Sequence, residues 1–405
     1  MANSFQGITS GLAALKNYYE GPIVDQFNED LAVLRGAEKV KKGWSGYQVV
    51  RPLRVRRNTG IGATSDGGTL PAIGRQNMQQ ATIQSAYNYL RFGITGPMIK
   101  ASQSDVGSFV RMAAYELEMG YKDLKSDVNR QVSWDGTGTL ARVNTAAVAS
   151  TSLVVKGRED GEPALKFLDV GMVLDIYSSS TAVATSVTIN AISGSPTDTT
   201  ATLTLSAAVT TSANDKVIRS GSYNNEMVGL LYSMDGGTST IYGIDRSTYT
   251  SYQGNQVDLS SASQLKIDTL QQAWNAGMQR GGAKYSAVYC DYTSLRYYQK
   301  LLTPDKRYSN TVKGDGGFAE KDNFYLDFNG LPMVPDKDCP IRFFFLTEDS
   351  WKHYVLCDLE FADESGSMYI PQPSADNLEV RIRYFANLFN EQPNAQAVVK
   401  GYLAP

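Results

Sequence analysis

The stretch that decides the fold is residues 103–135, which read QSDVGSFVRMAAYELEMGYKDLKSDVNRQVSWD. Ser104 suits a helix N-cap, Asp105 suits the first turn, and Asp135-Gly136 suits the end of a helix. Between them, apolar residues recur every three or four positions: Val106, Val110, Ala113, Leu117, Tyr121, Leu124, Val128 and Val132. This spacing predicts one α-helix of about thirty residues, roughly 45 Å long. Because its apolar stripe is narrow, the helix must lie along another surface, which the flanking sequence predicts to be a β-sheet.

The residues before the helix predict a long hairpin over 44–95. Tyr47, Val49, Leu53 and Val55 alternate with more polar residues, which is the period of a strand. A single return strand is expected from Met78 to Ile94, and the glycine-rich residues between the two strands form a tip. An extended hairpin of this length has few contacts with its own chain. We therefore expect it to rest on a neighbouring subunit.

The hairpin concentrates positive charge. Arginines stand at Arg51, Arg54, Arg56 and Arg57, and Arg75 follows the tip. Guanidinium groups pair with carboxylates in two parallel hydrogen bonds and also contact phosphates, so two interpretations compete. We favour contact with a neighbouring subunit, and the candidate partners on the long helix are Glu116, Glu118, Asp123 and Asp127. The plainer interpretation is a solvated edge whose charges discourage aggregation.

The rest of the chain divides by composition. Residues 1–43 predict a thin helical arm, and residues 96–147 hold the long helix with the strand that follows it. Residues 148–222 are rich in Ser, Thr, Ala and Val with short strands at regular spacing, which predicts an inserted all-β domain. Residues 223–347 return to mixed helices and strands, including helices at Gln264–Gln279 and Ser294–Leu302. Residues 348–405 close the chain with strands.

Composition excludes several classes of protein. The chain has 405 residues, of which 42% are hydrophobic and 20% charged, as in globular proteins. A net charge of −3 excludes a strongly basic protein that grips nucleic acid by charge, but not one that encloses it. No apolar run reaches the length of a membrane span, and the N-terminus lacks the pattern of a signal peptide. We expect a protein that folds in a cytoplasm and has no membrane partner.

Catalytic equipment is sparse. His353 is the only histidine and is expected to be structural or on the surface, and Cys290, Cys339 and Cys357 lack metal-ligand spacing. Gly60-Ile61-Gly62 lies in the hairpin tip without the remainder of a dinucleotide-binding motif, and no P-loop is present. Asp336-Lys337-Asp338 is expected to be a solvated turn. The sequence therefore predicts no enzyme activity, no metal site and no cofactor.

Four segments and their order resemble a known family. YLRFGITGPMIKAS (89–102) leads into the long helix, and DGTGTLARV (135–143) follows it. NGLPMVPDKDCP (329–340) precedes an apolar strand, and YFANLFNEQPNAQAVVKGYL (384–403) closes the chain. Together they resemble the major capsid protein of tailed bacteriophages, which has the Hong Kong 97-like fold.

The resemblance implies an α+β fold with named parts. Residues 1–43 would be the N-terminal arm, 44–95 the extended E-loop hairpin, and 96–147 the peripheral domain with its long spine helix. Residues 148–222 would be the inserted small all-β domain and 223–347 the axial domain. Residues 348–405 would return to the peripheral domain and add a closing axial strand.

The resemblance also implies partners. The chain would assemble into hexamers and pentamers of an icosahedral shell around double-stranded DNA, with no sequence-specific binding to that DNA. A separate scaffolding protein and a portal would act during assembly in the cytoplasm of a bacterial host, and a decoration protein is a further candidate partner. The expected location is the virion capsid.

One departure from the family pattern carries a prediction. Some members join neighbouring subunits covalently through an E-loop lysine, but positions 43–99 here contain no lysine. The sequence therefore predicts a shell without that crosslink. Two other functions stay open: a nanocompartment (encapsulin-like) shell with the same fold that packages enzyme cargo, and a β-rich module in which residues 148–222 bind a carbohydrate or a receptor.

Overall fold

A computed structural model describes residues 32–97, 106–302, 326–362, 370–371 and 375–405. The predicted arm up to residue 31, the N-cap Ser104 and Asp105 lie outside these ranges. The protein is α+β, with most of its described elements in sheets. The described α-helices are α1 (Ala32–Arg35), α2 (Val106–Ser133), α3 (Leu230–Met234), α4 (Ile267–Gly281) and α5 (Tyr292–Leu302), and short 3-10 turns span Thr250–Tyr252, Glu348–Ser350 and Pro393–Ala395.

The long helix α2 lies against a five-stranded sheet. This sheet contains β1 (Glu38–Val40), β4 (Ala86–Thr95), β18 (Trp351–Phe361), β19 (Ile370–Pro371) and β20 (Asn377–Asn390). Val128 and Val132 of the predicted stripe are buried with Ala86 and Leu388 of the sheet. The prediction that this helix covers a sheet is therefore confirmed for its C-terminal half, whose side chains the structure describes.

The second large sheet has six strands. Its strand order is β13-β21-β17-β14-β16-β15. The strands are β13 (Asn255–Gln264), β14 (Ala287–Cys290), β15 (Asp327–Phe328), β16 (Leu331–Pro335), β17 (Phe343–Leu346) and β21 (Ala397–Leu403). Leu270 of α4 and Leu295 of α5 pack on this sheet with Phe343, Phe345 and Val399. Both helices lie within three residues of the predicted bounds.

The Ser- and Thr-rich region folds as a closed barrel with the strand order β10-β5-β6-β9-β8-β7. Its strands are β5 (Thr139–Val143), β6 (Ala147–Lys156), β7 (Val173–Ser178), β8 (Thr181–Ser193), β9 (Thr200–Thr211) and β10 (Lys216–Arg219). Leu153, Leu174, Ile189 and Leu203 fill its centre and are fully buried. The unit begins at Thr139 rather than at residue 148, because β5 pairs with β10 and closes the barrel.

The hairpin differs from the prediction at its return strand. β2 (Gln48–Arg56) pairs with β3 (Asn77–Gln84) in antiparallel register, with Val49 opposite Ile83. The expected single strand from Met78 to Ile94 is wrong, because the chain breaks pairing at Ser85 and continues as β4 in the five-stranded sheet, opposite β20. A separate small hairpin, β11 (Thr240–Ile241) with β12 (Ile244–Asp245), lies beside β3, where the Thr82 amide donates to the Tyr242 carbonyl at 2.8 Å.

Candidate assembly interface

The root of the β2–β3 hairpin is built into the body of its own chain. Val49 and Ile83 are buried in one cluster with Ile241, Tyr252 and Phe389. The Tyr242 hydroxyl donates to the Leu388 carbonyl at 2.6 Å, and the Tyr252 hydroxyl donates to the Asn390 carbonyl at 2.7 Å. The expectation that the hairpin has few contacts with its own chain is therefore wrong for the root, because buried apolar residues on β2 and β3 find a core there.

The hairpin tip, residues 57–76, has the opposite character. The side chains of Ile61, Leu70 and Ile73 are 85%, 79% and 103% exposed. The two sides of the tip nearly touch, since a Cβ placed on Gly74 would meet the Gly60 nitrogen at 2.2 Å. Exposed apolar side chains grouped on one projection are typical of a surface that contacts a partner.

The hairpin arginines divide into two groups. Arg51 donates to the Glu391 carboxylate of the same chain at 2.6 Å, and this hydrogen bond raises the pKa of Arg51. Arg56 lies over the Tyr249 ring, 5.4 Å from its centroid, and donates to the Thr248 carbonyl at 3.5 Å. The remaining three, Arg54, Arg57 and Arg75, are exposed and make no ion pair with a described residue.

Arg54, Arg56 and Arg57 border a groove where β2 ends and the hairpin tip begins, and we call it the arginine groove. It has a volume of about 610 Å³, and Arg280 from the C-terminal end of α4 lies on its opposite wall. Arg280 is held in place by donating to the Asn255 side chain at 2.7 Å and to the Thr250 carbonyl at 2.9 Å. The groove contains four guanidinium groups and no carboxylate. The residues that line it are Arg54, Val55, Arg56, Arg57, Thr248, Tyr249, Thr250, Ser251, Gln279, Arg280 and Asn394. Sequence analysis missed Arg280, because it is far from the hairpin along the chain.

The proposed acidic partners on α2 fall in different surroundings. Asp127 is taken by its own chain: it accepts from Arg130 at 3.0 Å and from Gln131 at 2.9 Å, and lies 3.3 Å from Arg219. These positive neighbours hold the pKa of Asp127 far below its usual range, although burial opposes them. Asp127 is therefore already paired within its own chain, and its contact with a neighbouring subunit stays a prediction. Glu118 and Asp123 are exposed, with Glu118 3.5 Å from Lys122, and the side chain of Glu116 lies outside the described part of the helix.

The C-terminal end of α2 is a buried polar junction. Arg130, 2% exposed, donates to Asp127 and to Glu226 at 2.5 Å, so one guanidinium joins two acids. The amide of Asn129 donates to Asp336 at 3.1 Å and to Asp338 at 2.8 Å. The expectation of a solvated turn at Asp336-Lys337-Asp338 is wrong for both acids, which are 0% and 5% exposed. Burial raises the pKa of Asp338.

A second buried ion pair holds Arg158 in contact with the body of the subunit. Arg158, in the loop after β6, donates to both carboxylate oxygens of Glu162 at 2.7 and 3.2 Å and to the Asp338 carbonyl at 3.1 Å. Its guanidinium lies 4.3 Å from the Trp134 ring and 4.2 Å from the Phe167 ring. Burial alone would raise the pKa of Glu162, but the charges and hydrogen bonds of Arg158 and Lys166 together outweigh it and lower this pKa to about 2. Barrel, helix end and six-stranded sheet meet at this one guanidinium.

One face of the five-stranded sheet is aromatic and exposed. Tyr87 and Tyr89 of β4 are 50% and 58% exposed. Both rings lie edge-on to Phe385 of β20, with centroids 5.0 and 5.4 Å apart. Aromatic side chains that are half wet and half packed are enriched at interfaces between proteins.

His353, the only histidine of the chain, is buried. His353 is 4% exposed, its Nε2 lies 3.1 Å from the Tyr384 hydroxyl, and burial lowers its pKa to about 4. The described residues contain no group of three or more His, Cys, Asp or Glu side chains that could hold a metal ion. No helix in the described part of the chain is both long and apolar enough to cross a membrane.

Comparisons with known proteins identify the fold. No protein-family model and no curated protein matches the sequence. A chain of the cyanophage A-1(L) capsid superposes with a TM-score of 0.61 at 13% identity, covering 96% of this chain and 97% of that one. Chains from capsids of native and empty GTA particles superpose with TM-scores of 0.51 at 9% and 10% identity, covering 100% of both chains in each case. The chain therefore has the fold of these capsid chains.

Proposed function

We propose that this chain is the major capsid protein of a tailed bacteriophage and assembles into hexamers and pentamers of an icosahedral shell that encloses double-stranded DNA. The observation that carries the proposal is the hairpin tip, whose apolar side chains Ile61, Leu70 and Ile73 project into water from a chain with a capsid fold. A fold alone does not fix a function. The exposed tip adds a specific reason for copies of the chain to associate.

In this proposal, the subunit is a rigid tile with a projecting strap. α2 is the spine helix, the five-stranded sheet is the peripheral domain, the six-stranded sheet is the axial domain and the barrel is the insertion. The buried pairs at Arg130 and Arg158 hold these parts in one arrangement. The hairpin is the E-loop, and its tip is the part that overlaps a neighbour.

Charge pairing between copies follows from the hairpin arginines. Arg54, Arg56, Arg57 and Arg75 project from the hairpin without a carboxylate partner among the described residues, whereas Arg51 already has Glu391. Exposed pairs are individually weak, so they set register and orientation between copies rather than supply most of the affinity. Glu116, Glu118, Asp123 and Asp127 of a neighbouring α2 are the candidate partners.

The decisive experiment removes the tip and leaves the root. Replacing residues 58–74 with a short Gly-Ser turn should give a subunit with unchanged circular dichroism and an unchanged unfolding temperature, because the root core around Val49 and Ile83 is intact. Electron microscopy should show no closed particles. A matched control replaces the exposed barrel loop 194–199 in the same way and should assemble. Normal shells from the tip deletion would refute the role given to the hairpin.

The contents of the shell separate this function from its alternative. A nanocompartment shell with the same fold would package an enzyme instead of DNA. Particles purified from the native source should contain nuclease-protected double-stranded DNA and no stoichiometric enzyme cargo.

We further propose a separate scaffolding protein and a portal during assembly in the host cytoplasm, and a decoration protein as a candidate partner of the barrel.

A further inference from the structure

We infer that the arginine groove binds the acidic segment 20–30 of a second copy of this chain. The inference rests on the proposed self-assembly and adds a partner segment for one surface. It concerns Arg54, Arg56, Arg57 and Arg280, which converge on the groove from the hairpin and from α4.

The groove has the chemistry of an anion-binding site. Four guanidinium groups line it, no acid does, and Arg54 and Arg57 make no ion pair with a described residue. Arg280 is oriented by donating to Asn255 and to the Thr250 carbonyl, so its position does not depend on the ligand. A cluster of guanidinium groups with no carboxylate beside it can pair with an anion that another molecule supplies.

A ligand that pairs with four arginines should be rich in acids and poor in bases. Two stretches of the sequence are acid-rich and lack Lys and Arg: residues 20–30 and residues 358–380. In the second stretch three acids pair within the chain: Asp358 with Lys39, Glu360 with Arg383, and Glu379 with Arg91. The first stretch, EGPIVDQFNED, lies outside the residues that the structure describes.

Segment 20–30 matches the groove in charge. It carries four carboxylates, at Glu20, Asp25, Glu29 and Asp30, against the four arginines of the groove. Fully extended, its eleven residues reach roughly 36 Å. The groove lies beside the hairpin that the proposed function places against a neighbour, so we assign the segment to a second copy rather than to the same chain. This inference replaces the pairing of Arg54, Arg56 and Arg57 with α2, so the acids of α2 are left to Arg75 at the tip.

Charge reversal gives the first test. The double variant Arg54→Glu with Arg57→Glu should lower the yield of assembled particles at least about tenfold, because like charges then face each other. Glu29→Lys with Asp30→Lys should lower it similarly, and combining the four substitutions should restore most of the yield. The control Arg296→Glu, which reverses an exposed arginine on α5, should assemble normally. Failure of the combined variant to recover would count against the pairing.

Crosslinking gives the second test and separates the two proposals. One chain carries Thr248→Cys, on the groove wall, and another carries Asn28→Cys; the two are mixed before assembly and oxidised. Both chains also carry Cys357→Ser, because Cys357 is a half-buried free thiol, whereas the native thiols Cys290 and Cys339 are buried and add little background. A dimer on a denaturing gel is expected from this mixture. Replacing Thr248→Cys by Thr181→Cys, on the barrel surface, should give none.

Each other outcome is informative. Particles that assemble without the crosslink overturn the inference and leave the proposed function standing. A crosslink that forms only when both cysteines are in one chain places the segment in its own groove and overturns the second-copy assignment. Loss of packaged DNA without the crosslink would indicate that the groove binds phosphate and would also overturn the inference. Absence of any particle from the unaltered chain would refute the proposed function itself.

Discussion

Replacing Glu162 by Gln should loosen the barrel from the body of the subunit. Glu162 is 1% exposed and neutralises Arg158, whose guanidinium is buried between the Trp134 and Phe167 rings. Its pKa falls from 4.5 to about 2, and each pKa unit corresponds to about 1.36 kcal/mol, so ionisation of Glu162 stabilises the fold by roughly 3 kcal/mol. Breaking a buried pair by removing one partner costs about 3–5 kcal/mol, which agrees.

The loss should be local and measurable by hydrogen exchange on the full chain. A cost of about 3 kcal/mol predicts roughly hundredfold faster exchange of amides in β6 and β7 than in the native chain. The control is Asp160→Asn. Asp160 pairs with Lys156, but its side chain is 75% exposed, so this substitution should change the exchange rates less than about threefold. Exchange in Glu162→Gln that equals the control would refute the assignment of Arg158 as the anchor.

The sign of the pH dependence provides a second check on the same variant. The pKa of Glu162 is depressed in the folded state, so its contribution is fully present above pH 4.5 and is lost as the pH falls from 4.5 through about 2. The native chain should therefore lose barrel protection across that interval. Glu162→Gln lacks this titration, so the difference between the two proteins should shrink as the solution is acidified.

Four further predictions follow from single features. Leu203→Ala should cost about 3 kcal/mol, because Leu203 is fully buried in the barrel, and hydrogen exchange should accelerate in the barrel strands. Ile73→Ser should leave the unfolding temperature of the subunit within about 1 °C, since the side chain is fully exposed, but should reduce the yield of particles counted by electron microscopy. Burial lowers the pKa of His353 from 6.5 to about 4, so native stability should fall by roughly 3 kcal/mol as the pH drops through that interval, and His353→Phe should flatten the decline in thermal scans. Because positions 43–99 contain no lysine, mature particles should run as single chains on a denaturing gel, without a ladder of covalent multimers.

Sequence periodicity predicted most elements, because one buried face leaves a repeating trace. The stripe through Leu124, Val128 and Val132 identified α2, and alternation from Tyr47 to Val55 identified β2. The same alternation failed at Ser85. β3 and β4 share one continuous strand-like pattern, yet they pair with different partners, one of them about three hundred residues away. A period of two records which side is buried and carries no record of the partner strand.

Charged residues were the second source of error. Asp336 and Asp338 are expected in solvent because ions are costly to bury, and the spacing of α2 does not mark Arg130 as a buried residue. Each is buried with partners that are distant along the chain: Arg130 with Glu226, and both aspartates with Asn129. The arginine groove was half visible for the same reason. Arg54, Arg56 and Arg57 are adjacent in sequence, but Arg280 joins them only through the fold.

In the proposed function, the exposed hairpin tip and the buried junctions at Arg130 and Arg158 explain why copies of the chain would assemble cooperatively. Burying Ile61, Leu70 and Ile73 would contribute about 1.5–3 kcal/mol each, or roughly 5–9 kcal/mol per tip. Fixing one copy against another costs on the order of 4–15 kcal/mol, so a single tip contact barely holds two copies together. A subunit enclosed by neighbours gives one tip and receives another, while the cost of fixing its position is incurred once. Closed arrangements are therefore favoured over dimers. The buried junctions at Arg130 and Arg158 matter because they hold the tip of each subunit at a fixed distance from the surface that contacts a neighbour's tip.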